Sequence, residues 1–500
     1  MKLAKLTFLS EYSRYLWGLL IVALCCWCAS RWNVWFDNPE EDAYEPSDVP
    51  TRILLTFGDE DGVRNRNISW TCGKVVKESF VELVELNDNG NLNGNLNDNL
   101  NCQPSALSPQ PSALNSQLST ATGEVFVSRS GKAAYYVARL RDLKAGHTYR
   151  YRVCTGGKKS EWHEFHLPPS HEPETSFLYM GDIQDSIGGI ANQLLREAFG
   201  RNPDTEFLVC GGDLTERPTD AYWGETFESL DSVGLSVPVL TITGNHDYLK
   251  GVVCQLERRF SLIHSYFLDS MVGENQVFTV RYKHVQLFCL DSNREFFYLW
   301  TQRRWLEEQL EGSRAKWKIV VLHHPLYSIR GSMNNLIQRW MFDDIIREHG
   351  VDVVLQGHEH AYARMTTSSQ PSTLNTQLST LNSQPSTLNS QLSPPIYTVS
   401  HCSPKSYRIG FDERVDKFGT GSRYYQMVRT RGDTLFLTAW DANDGTLYDS
   451  LYIVKQGADT QVVDAGRDIP ERLTFTPDPH NKKDVAFAER IKAYKRRKHL

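Results

Sequence analysis

The order of apolar and polar positions divides most of the chain into two regions with different predicted structure. Between residues 51 and 167, short runs such as "RILLTF", "AAYYVARL" and "TYRYRVC" are rich in β-branched and aromatic residues. From residue 175 to residue 453, apolar strand-like runs alternate with helical stretches such as "NLIQRWMFDDIIREHG". The first pattern predicts a β-sandwich, and the second predicts an α/β domain with a largely parallel sheet.

Two polar segments interrupt these regions. Residues 87–121 and residues 366–395 are rich in Ser, Asn, Gln and Pro, and both contain close variants of "QPSTLNTQLST". Their leucines are isolated, so these segments cannot bury enough apolar surface to offset the entropy lost on ordering. We therefore predict that both are disordered surface insertions, the first in a loop of the β-sandwich and the second in the α/β domain.

Residues 1–45 form a separate N-terminal segment. Residues 15–30 contain no charged side chain, the residues before them include Lys2, Lys5 and Arg14, and an acidic stretch, "DNPEEDAYEPSD", follows. This order predicts a secretion signal or an N-terminal membrane anchor, with the rest of the chain exported to the periplasm, the cell surface or the medium. The apolar stretch is short for a span and the cleavage signal is poor, so both alternatives stay open.

Composition and charge narrow the choice of partners. The chain has 500 residues, is 40% hydrophobic and carries a net charge of −6, so its charge does not indicate a nucleic-acid partner. Residues 454–500 are polar and end in "KDVAFAERIKAYKRRKHL", which predicts a C-terminal tail containing a basic amphipathic helix. A solvated tail is the simpler interpretation of this segment, and a membrane surface or an acidic partner is the alternative.

Five apolar runs of the α/β region stop at residues that can bind metal: "FLYMGD", "FLVCGGD", "PVLTITGNHD", "WKIVVLHH" and "VDVVLQGHEH". Ligand sites in α/β sheets lie beyond the carboxyl ends of the strands, and glycine lets the backbone approach closely there. Oxygen and imidazole ligands together suit Zn, Mn or Fe. We therefore expect these ends to converge on one metal site; the polar residues that they carry are Asp182, Asp213, Asn245, His246, His323, His324, His358 and His360.

The ordered set "GD", "GGDLTE", "GNHD", "VVLHHP" and "GHEHAYAR" resembles the calcineurin-like metallophosphoesterase superfamily. "GHEHAYAR" and "LHHPLYS" are similar to the purple acid phosphatase branch, and the β-rich residues 51–167 are similar to its fibronectin-type N-terminal domain. The resemblance implies an α/β metallophosphoesterase domain at residues 175–453, built as a two-sheet β-sandwich flanked by helices. It also implies a hydrolase that cleaves small phosphate esters with two divalent transition metal ions, either Zn, Mn or Fe.

The roles that the family assigns fall on matching positions. Asp213 would bridge the two ions, and Asp182 and His360 would complete much of the first site. One amide and two imidazoles would complete the second site: Asn245, His323 and His358. The resemblance implies attack on phosphorus by a hydroxide that the ions generate, with His246 not binding metal but acting as the general acid that protonates the leaving oxygen.

Three positions leave alternatives open. His324 competes with His323 for the ligand role, although His323, two residues before the proline, aligns better. Glu216 stands where purple enzymes carry the tyrosine that gives their colour, so we expect no purple chromophore. Glu216 would either bind metal or support a ligand. Gln184 stands where many superfamily members have a histidine ligand, and it would contribute an amide oxygen or nothing.

The function that the sequence favours is an exported phosphomonoesterase with two metal ions. A phosphodiesterase or nucleotidase would use the same metals, and the motifs do not separate these activities because loops around the metals choose the substrate. A non-catalytic binding protein with a degraded phosphatase domain is disfavoured because all five motifs persist. The sequence does not indicate an oligomeric state.

Overall fold

The N-terminal segment is helical in the computed structural model, which describes residues 2–86, 116–251, 253, 255–266, 276–331, 334–366, 394–457 and 459–498. Helix α1 spans Lys2–Phe36, and apolar side chains in its middle are exposed, with Trp17 at 65% and Leu19 at 67% of their full area. Within the described ranges, no helix combines the length and the apolar character needed to cross a bilayer. The choice between a cleaved signal and a retained anchor stays a prediction.

The predicted β-rich region is confirmed. Its strands are β1 (Thr51–Phe57), β2 (Arg66–Thr71), β3 (Ser79–Glu85), β4 (Ser116–Ser128), β5 (Gly131–Leu140), β6 (Thr148–Thr155), β7 (Lys158–Lys159) and β8 (His163–His166). They pair in the order β1-β2-β5-β4-β3-β6-β7, with β8 beside β6. Trp70, Tyr136 and Tyr151 point into one buried cluster, which accounts for the aromatic runs of the sequence. The likeness to a fibronectin-type domain stays a prediction.

The first polar insertion is shorter than predicted. Residues 87–115 lie outside the described residues, but residues 116–121 belong to β4. Residues 116–120 pair with β3, and from Ala121 onward the same strand pairs with β5. The prediction of disorder for residues 116–121 was wrong because it considered only side chains. Backbone hydrogen bonds to neighbouring strands hold this polar segment in place, and Leu118 remains exposed.

Two seven-stranded sheets form the second region. Its strands in chain order are β9 (Glu174–Met180), β10 (Phe207–Cys210), β11 (Val239–Thr241), β12 (Tyr248–Leu249), β13 (Gln255–Leu256), β14 (Phe278–Tyr282), β15 (Val285–Cys289), β16 (Trp317–Val321), β17 (Val353–Gln356), β18 (Tyr362–Thr366), β19 (Ile396–Val399), β20 (Lys417–Gly419), β21 (Tyr424–Arg431), β22 (Thr434–Asp441), β23 (Leu447–Gln456) and β24 (Asp459–Asp464). One sheet has the order β11-β10-β9-β21-β22-β23-β24, and the other has the order β14-β15-β16-β17-β19-β18-β20. Strands β12 and β13 form a separate pair.

The two sheets pack face to face, with helices on their outer faces. The helices are α2 (Ala191–Arg201), α3 (Asp220–Ser236), α4 (Arg258–Ile263), α5 (Phe296–Gly312), α6 (Leu336–Glu348) and α7 (Lys482–Lys498). In β9, Phe177 and Tyr179 enter the core between the sheets, whereas Leu178 and Met180 face the core that includes residues of α2 and α3. Strands buried on both faces need continuous apolar sequences, as this region has. The predicted fold class is confirmed, and the second insertion lies outside the described residues at 367–393.

The C-terminal residues are part of this fold and not a solvated tail. Strand β23 continues to Gln456, and β24 pairs beside it as the edge of the first sheet. The amphipathic helix is present as α7, and its residues Phe487, Ile491 and Tyr494 are buried in a cluster with Phe411 and Phe418. The prediction of a tail over residues 454–500 was wrong because three apolar residues on one helix face are enough to dock it.

Candidate metal centre

The structure brings the strand ends of both sheets to one site. Asp182, Asp213 and Asn245 follow β9, β10 and β11, which are parallel neighbours in the first sheet. His323 and His358 follow β16 and β17, which are parallel neighbours in the second sheet. Since the sheets are stacked, the carboxyl ends of all five strands meet at the same edge of the sandwich.

The ligand-bearing turns have an unusual backbone. Asp182, Asp213 and His358 have φ values of 48°, 52° and 68°, in the left-handed region that non-glycine residues rarely adopt. Such conformations persist where the surrounding structure holds them, and they are concentrated at functional sites. The left-handed backbone at these three positions is therefore consistent with a functional site at the strand ends.

Glycines make room for the carboxylates in two of the motifs. A Cβ atom at position 244 would lie 2.1 Å from Oδ1 of Asp213, and one at position 357 would lie 2.3 Å from Oδ2 of Asp182. Both distances are far inside van der Waals contact, so any larger residue would displace the carboxylate. This close approach explains the glycine before Asn245 in "GNHD" and before His358 in "GHEH".

One group of ligand atoms surrounds Asp213. Atoms of Asp213, His323 and His358 lie within 4.8 Å of one another, and Oδ2 of Asp213 is 3.4 Å from Nε2 of His323. The amide oxygen of Asn245 is 3.2 Å from Nε2 of His323 and 2.8 Å from Nδ1 of His358. A carboxylate, an amide oxygen and two imidazoles facing one point are a donor set that suits a divalent transition metal ion.

A second group surrounds Asp182. Nε2 of His360 is 3.2 Å from Oδ1 of Asp182 and 3.0 Å from the amide nitrogen of Gln184. Oδ1 of Asp182 and Oε1 of Gln184 are buried and accept no hydrogen bond from the part of the chain that the structure describes. Buried polar atoms are nearly always satisfied, so two such oxygens beside an imidazole fit a cation as their partner. The other oxygen of Asp182 accepts the backbone N–H of His358 at 2.7 Å, which joins the two groups.

The electrostatics of the first group favour a positive charge next to Asp213. Burial alone would lower the pKa of His323, but the Asp213 carboxylate raises it to about 10. Burial alone would raise the pKa of Asp213, but His323 and His246 hold it below its usual value. Nδ1 of His323 is 2.9 Å from the carbonyl oxygen of Gly211, to which it donates, and this leaves Nε2 facing Asp213. A bound cation would replace the proton that His323 otherwise carries there.

His324 lies beside this group, but its ring hydrogen-bonds to a serine outside it. Its Nδ1 is 3.0 Å from the hydroxyl of Ser292, and its ring packs beside the His358 ring, with the ring centres 4.3 Å apart. Burial and the charge of His323 lower the pKa of His324 to about 3. Of the two neighbouring histidines, the structure therefore places His323 against Asp213 and Asn245.

His246 lies beside the ligand groups without joining them. Its backbone N–H donates to Oδ1 of Asp213 at 2.8 Å, whereas its ring nitrogen Nε2 is 4.0 Å from Oδ2 of the same residue. Nδ1 donates to the carbonyl oxygen of Glu216 at 2.6 Å. About a quarter of the side chain is exposed, at 27%. The hydrogen bond at Nδ1 thus fixes the ring, and it leaves Nε2 unbonded within 4.0 Å of the Asp213 carboxylate.

The Glu216 carboxylate is held by a lysine that the sequence analysis did not single out. Nζ of Lys405 lies 2.5 Å and 2.6 Å from the two carboxylate oxygens of Glu216. The residue at the position of the colour-giving tyrosine therefore contributes its backbone carbonyl to His246 and its side chain to an ion pair. The expectation that the protein is not purple stays a prediction.

Two further carboxylates missed from sequence hold the ligand loops in place. Oδ2 of Asp247 accepts the backbone N–H groups of Gly244 and Asp213, at 2.7 Å and 3.3 Å. Glu359 lies between two expected ligands and accepts the N–H groups of Ile329 and Arg330 at 2.6 Å and 3.3 Å, and the hydroxyl of Ser328. Burial raises the pKa of both carboxyl groups. The signal in the sequence was the acidic residue inside "GNHD" and "GHEH".

Replacement of Glu359 should destabilise the protein without removing a metal-site donor. Glu359→Ala leaves three buried donors without an acceptor, and we expect the free energy of unfolding to fall by about 3 kcal/mol. Glu359→Gln keeps one acceptor oxygen and should lose about 1 kcal/mol. Urea denaturation of both variants measures the difference. An alanine variant as stable as the wild type would show that the carboxylate does not hold residues 328–330.

Parallel strands of two stacked sheets carry two connected groups of Asp and His side chains at their ends. Such an arrangement defines the site of a metal-dependent hydrolase. Residues 175–362 match the family model for calcineurin-like phosphoesterases, so this part of the chain is a calcineurin-like phosphoesterase domain. The resemblance drawn from the motifs is confirmed, and the relatives include purple acid phosphatases and a phosphoenolpyruvate phosphatase.

Among the relatives, purple acid phosphatase 17 of Arabidopsis thaliana is 26% identical over 240 residues, which is 42% of this chain and 70% of that protein. Fe(3+)-Zn(2+) purple acid phosphatase 12 of the same plant is 23% identical over 45% of this chain and 51% of that protein. The structure of purple acid phosphatase PPD1 from yellow lupin (Lupinus luteus) seeds superposes with a TM-score of 0.61. That alignment covers 82% of this chain and 75% of the lupin chain at 16% identity, so it shows a shared fold.

Proposed function

We propose that the protein hydrolyses phosphate monoesters at a centre of two divalent transition metal ions. The observation that carries this proposal is the pair of connected donor groups, one around Asp213 and one around Asp182, at one edge of a calcineurin-like phosphoesterase domain. The names of its relatives support phosphate esters as the substrate class. Zn, Mn and Fe all suit a donor set of oxygen and imidazole.

The ligand assignment follows the two groups. Asp182 and His360 would hold the first ion, with Gln184 close enough to add its amide oxygen. Asp213 would be shared between the sites, and the second ion would have three further ligands: Asn245, His323 and His358. When bound, two such ions lower the pKa of a water molecule and offset negative charge on a phosphoryl group.

The protein's own residues would orient the ester and manage the leaving-group proton. The backbone carbonyl of Glu216 accepts from Nδ1 of His246, so a second proton on this partly exposed ring must sit on Nε2, beside the Asp213 carboxylate. From there it can pass to the oxygen of the departing alcohol. The turns that carry the ligands are held by Asp247 and Glu359, which keeps the donors fixed as reaction requires.

Export is the second part of the proposal. The basic residues Lys2, Lys5 and Arg14 precede the apolar residues 15–30, and an acidic stretch follows them. Large apolar side chains of α1, among them Trp17, Ile21 and Trp32, are exposed and not built into the core. Both observations suit a segment that a secretion machinery or a membrane surface recognises.

A panel of esters tests the proposed activity. With metal-loaded full-length protein, kcat/KM for 4-nitrophenyl phosphate should exceed that for bis(4-nitrophenyl) phosphate by at least about tenfold, which corresponds to about 1.4 kcal/mol of transition-state binding. The two esters share a leaving group and differ in the number of ester bonds. A preference for the diester would instead establish a phosphodiesterase, and turnover of neither would favour a binding protein.

A further inference from the structure

Arg330 is an exposed cation at the edge of the metal centre. It follows the expected ligand His323 by seven residues, in the loop that leads from β16 to α6. Lys405, the other cation near the site, is paired with Glu216. In the part of the chain that the structure describes, no carboxylate lies within ion-pair distance of the Arg330 guanidinium. The charge of Arg330 is therefore available to a bound molecule.

The Arg330 side chain packs against Tyr407, whose ring in turn stacks on the expected ligand His360. The Tyr407 ring lies parallel to the His360 ring, with the ring centres 4.3 Å apart and 9° between the planes. Cζ of Arg330 lies 4.6 Å from the centre of the same Tyr407 ring. Tyr407 therefore contacts both the expected ligand His360 and the guanidinium of Arg330. In the part of the chain that the structure describes, the guanidinium is held against this ring without a hydrogen bond to an expected ligand side chain.

Backbone contacts fix this stack relative to the metal centre. Glu359, which lies between His358 and His360, accepts the backbone N–H of Arg330 at 3.3 Å. The N–H of Tyr407 donates to the carbonyl oxygen of His360 at 3.2 Å, and the N–H of Gly410 donates to that of Ile329 at 2.6 Å. The loops that carry Arg330 and Tyr407 are therefore tied to each other and to the "GHEH" turn. A charge held in place before binding loses little entropy when it binds an anion.

The placement of the guanidinium determines which anion it can reach. A phosphoryl group among the ligand side chains would lie next to His360, whereas the guanidinium packs against Tyr407 and not against His360 itself. A group that reaches Arg330 would therefore belong to the alcohol part of the ester. Guanidinium groups match carboxylates and phosphates through two parallel hydrogen bonds.

We propose that Arg330 binds a second anionic group on the leaving alcohol. The preferred substrates are then phosphate monoesters whose alcohol part carries a carboxylate or a further phosphate. This inference rests on the proposed phosphomonoesterase activity and deepens it by naming the substrate class. Arg330 acts as a specificity residue, while the phosphoryl group remains with the metal centre.

Two matched aryl esters test this role. The substrates are 4-carboxyphenyl phosphate and 4-carbamoylphenyl phosphate, which have nearly the same shape and differ in the charge at the far end. Wild-type protein should prefer the carboxylate by about tenfold in kcat/KM, as expected for one charge-assisted contact. Arg330→Ala should bring the ratio close to one, and Arg330→Lys should retain part of it.

The control is Arg431→Ala, because Arg431 is an exposed arginine that lies opposite Glu174, at the amino end of β9 and away from the metal centre. It should keep the wild-type preference. Equal losses for both esters in Arg330→Ala would overturn the proposal and assign Arg330 to the phosphoryl group. A wild-type ratio near one would overturn it as well.

Equilibrium binding separates this inference from the proposed activity. The probes are 4-carboxybenzylphosphonate and its 4-carbamoyl counterpart, which resist hydrolysis, and calorimetry with metal-loaded full-length protein measures both affinities. The carboxylate should bind about tenfold more tightly to the wild type and equally to Arg330→Ala. Selective binding without ester hydrolysis would contradict only the proposed activity. Equal affinity, or no binding of either phosphonate, would contradict the role of Arg330.

Discussion

Asp213→Ala should remove metal from both sites and abolish hydrolysis of every phosphate ester. Oδ2 of Asp213 lies 3.4 Å from Nε2 of His323, and Asp213 is the residue that the resemblance assigns to both ions. Without it, metal content should fall from about two ions per chain to less than about one. Turnover should fall by about 10⁴-fold or more, since residues that act as one catalytic unit fail together.

Elemental analysis and steady-state kinetics on the purified Asp213→Ala variant measure these losses, and Asp343→Asn is the control. Asp343 is also buried, but its carboxylate accepts from the hydroxyl groups of Tyr327 and Tyr397 near α6. Its replacement should lower stability while leaving metal content at the wild-type level. Normal turnover in Asp213→Ala would show that the carboxylate does not organise the centre.

His246→Ala should show a different pattern, because His246 lies beside the donors and outside their group. Its Nε2 is 4.0 Å from Asp213, and its Nδ1 is held by the Glu216 carbonyl. Metal content should therefore stay near the wild-type value. Hydrolysis of alkyl phosphates, whose poor leaving groups need a proton, should slow by roughly 10²–10⁴-fold. Aryl phosphates with good leaving groups need little protonation and should lose much less.

The difference in rate loss between alkyl and aryl phosphates decides whether His246 acts as the general acid. Kinetics with an alkyl phosphate and with 4-nitrophenyl phosphate, together with metal analysis, give the three quantities needed. If the variant loses its metal ions, His246 is a ligand. If both ester classes slow equally, His246 positions the phosphoryl group and does not act as a general acid.

The sequence located the donors because each stands at a strand end. Asp182, Asp213 and Asn245 follow three parallel strands of one sheet, and a polar residue at such a point must share an edge with its neighbours. The choice between His323 and His324 depended on resemblance, and the structure adds that His323 faces Asp213. The positions of these polar residues at the ends of predicted strands were therefore enough to locate the site in the sequence.

Supporting residues escaped prediction because their partners are distant in sequence. Lys405 lies 189 residues from Glu216, and no periodicity connects them. Glu359 stands between two histidines, but its partners are backbone groups at residues 328–330, which only the folded chain places there. Strand β4 and helix α7 were misjudged for a similar reason, since composition does not show backbone pairing or a docking surface.

Titration of chelator-stripped, full-length protein with Zn²⁺ or Mn²⁺, followed by calorimetry and by hydrolysis of 4-nitrophenyl phosphate, tests the metal centre directly. We expect about two ions to bind per chain, with hydrolysis appearing as the second ion binds and without a purple absorption band. Full activity in metal-free protein, or saturation by a single ion, would contradict a centre built from both donor groups.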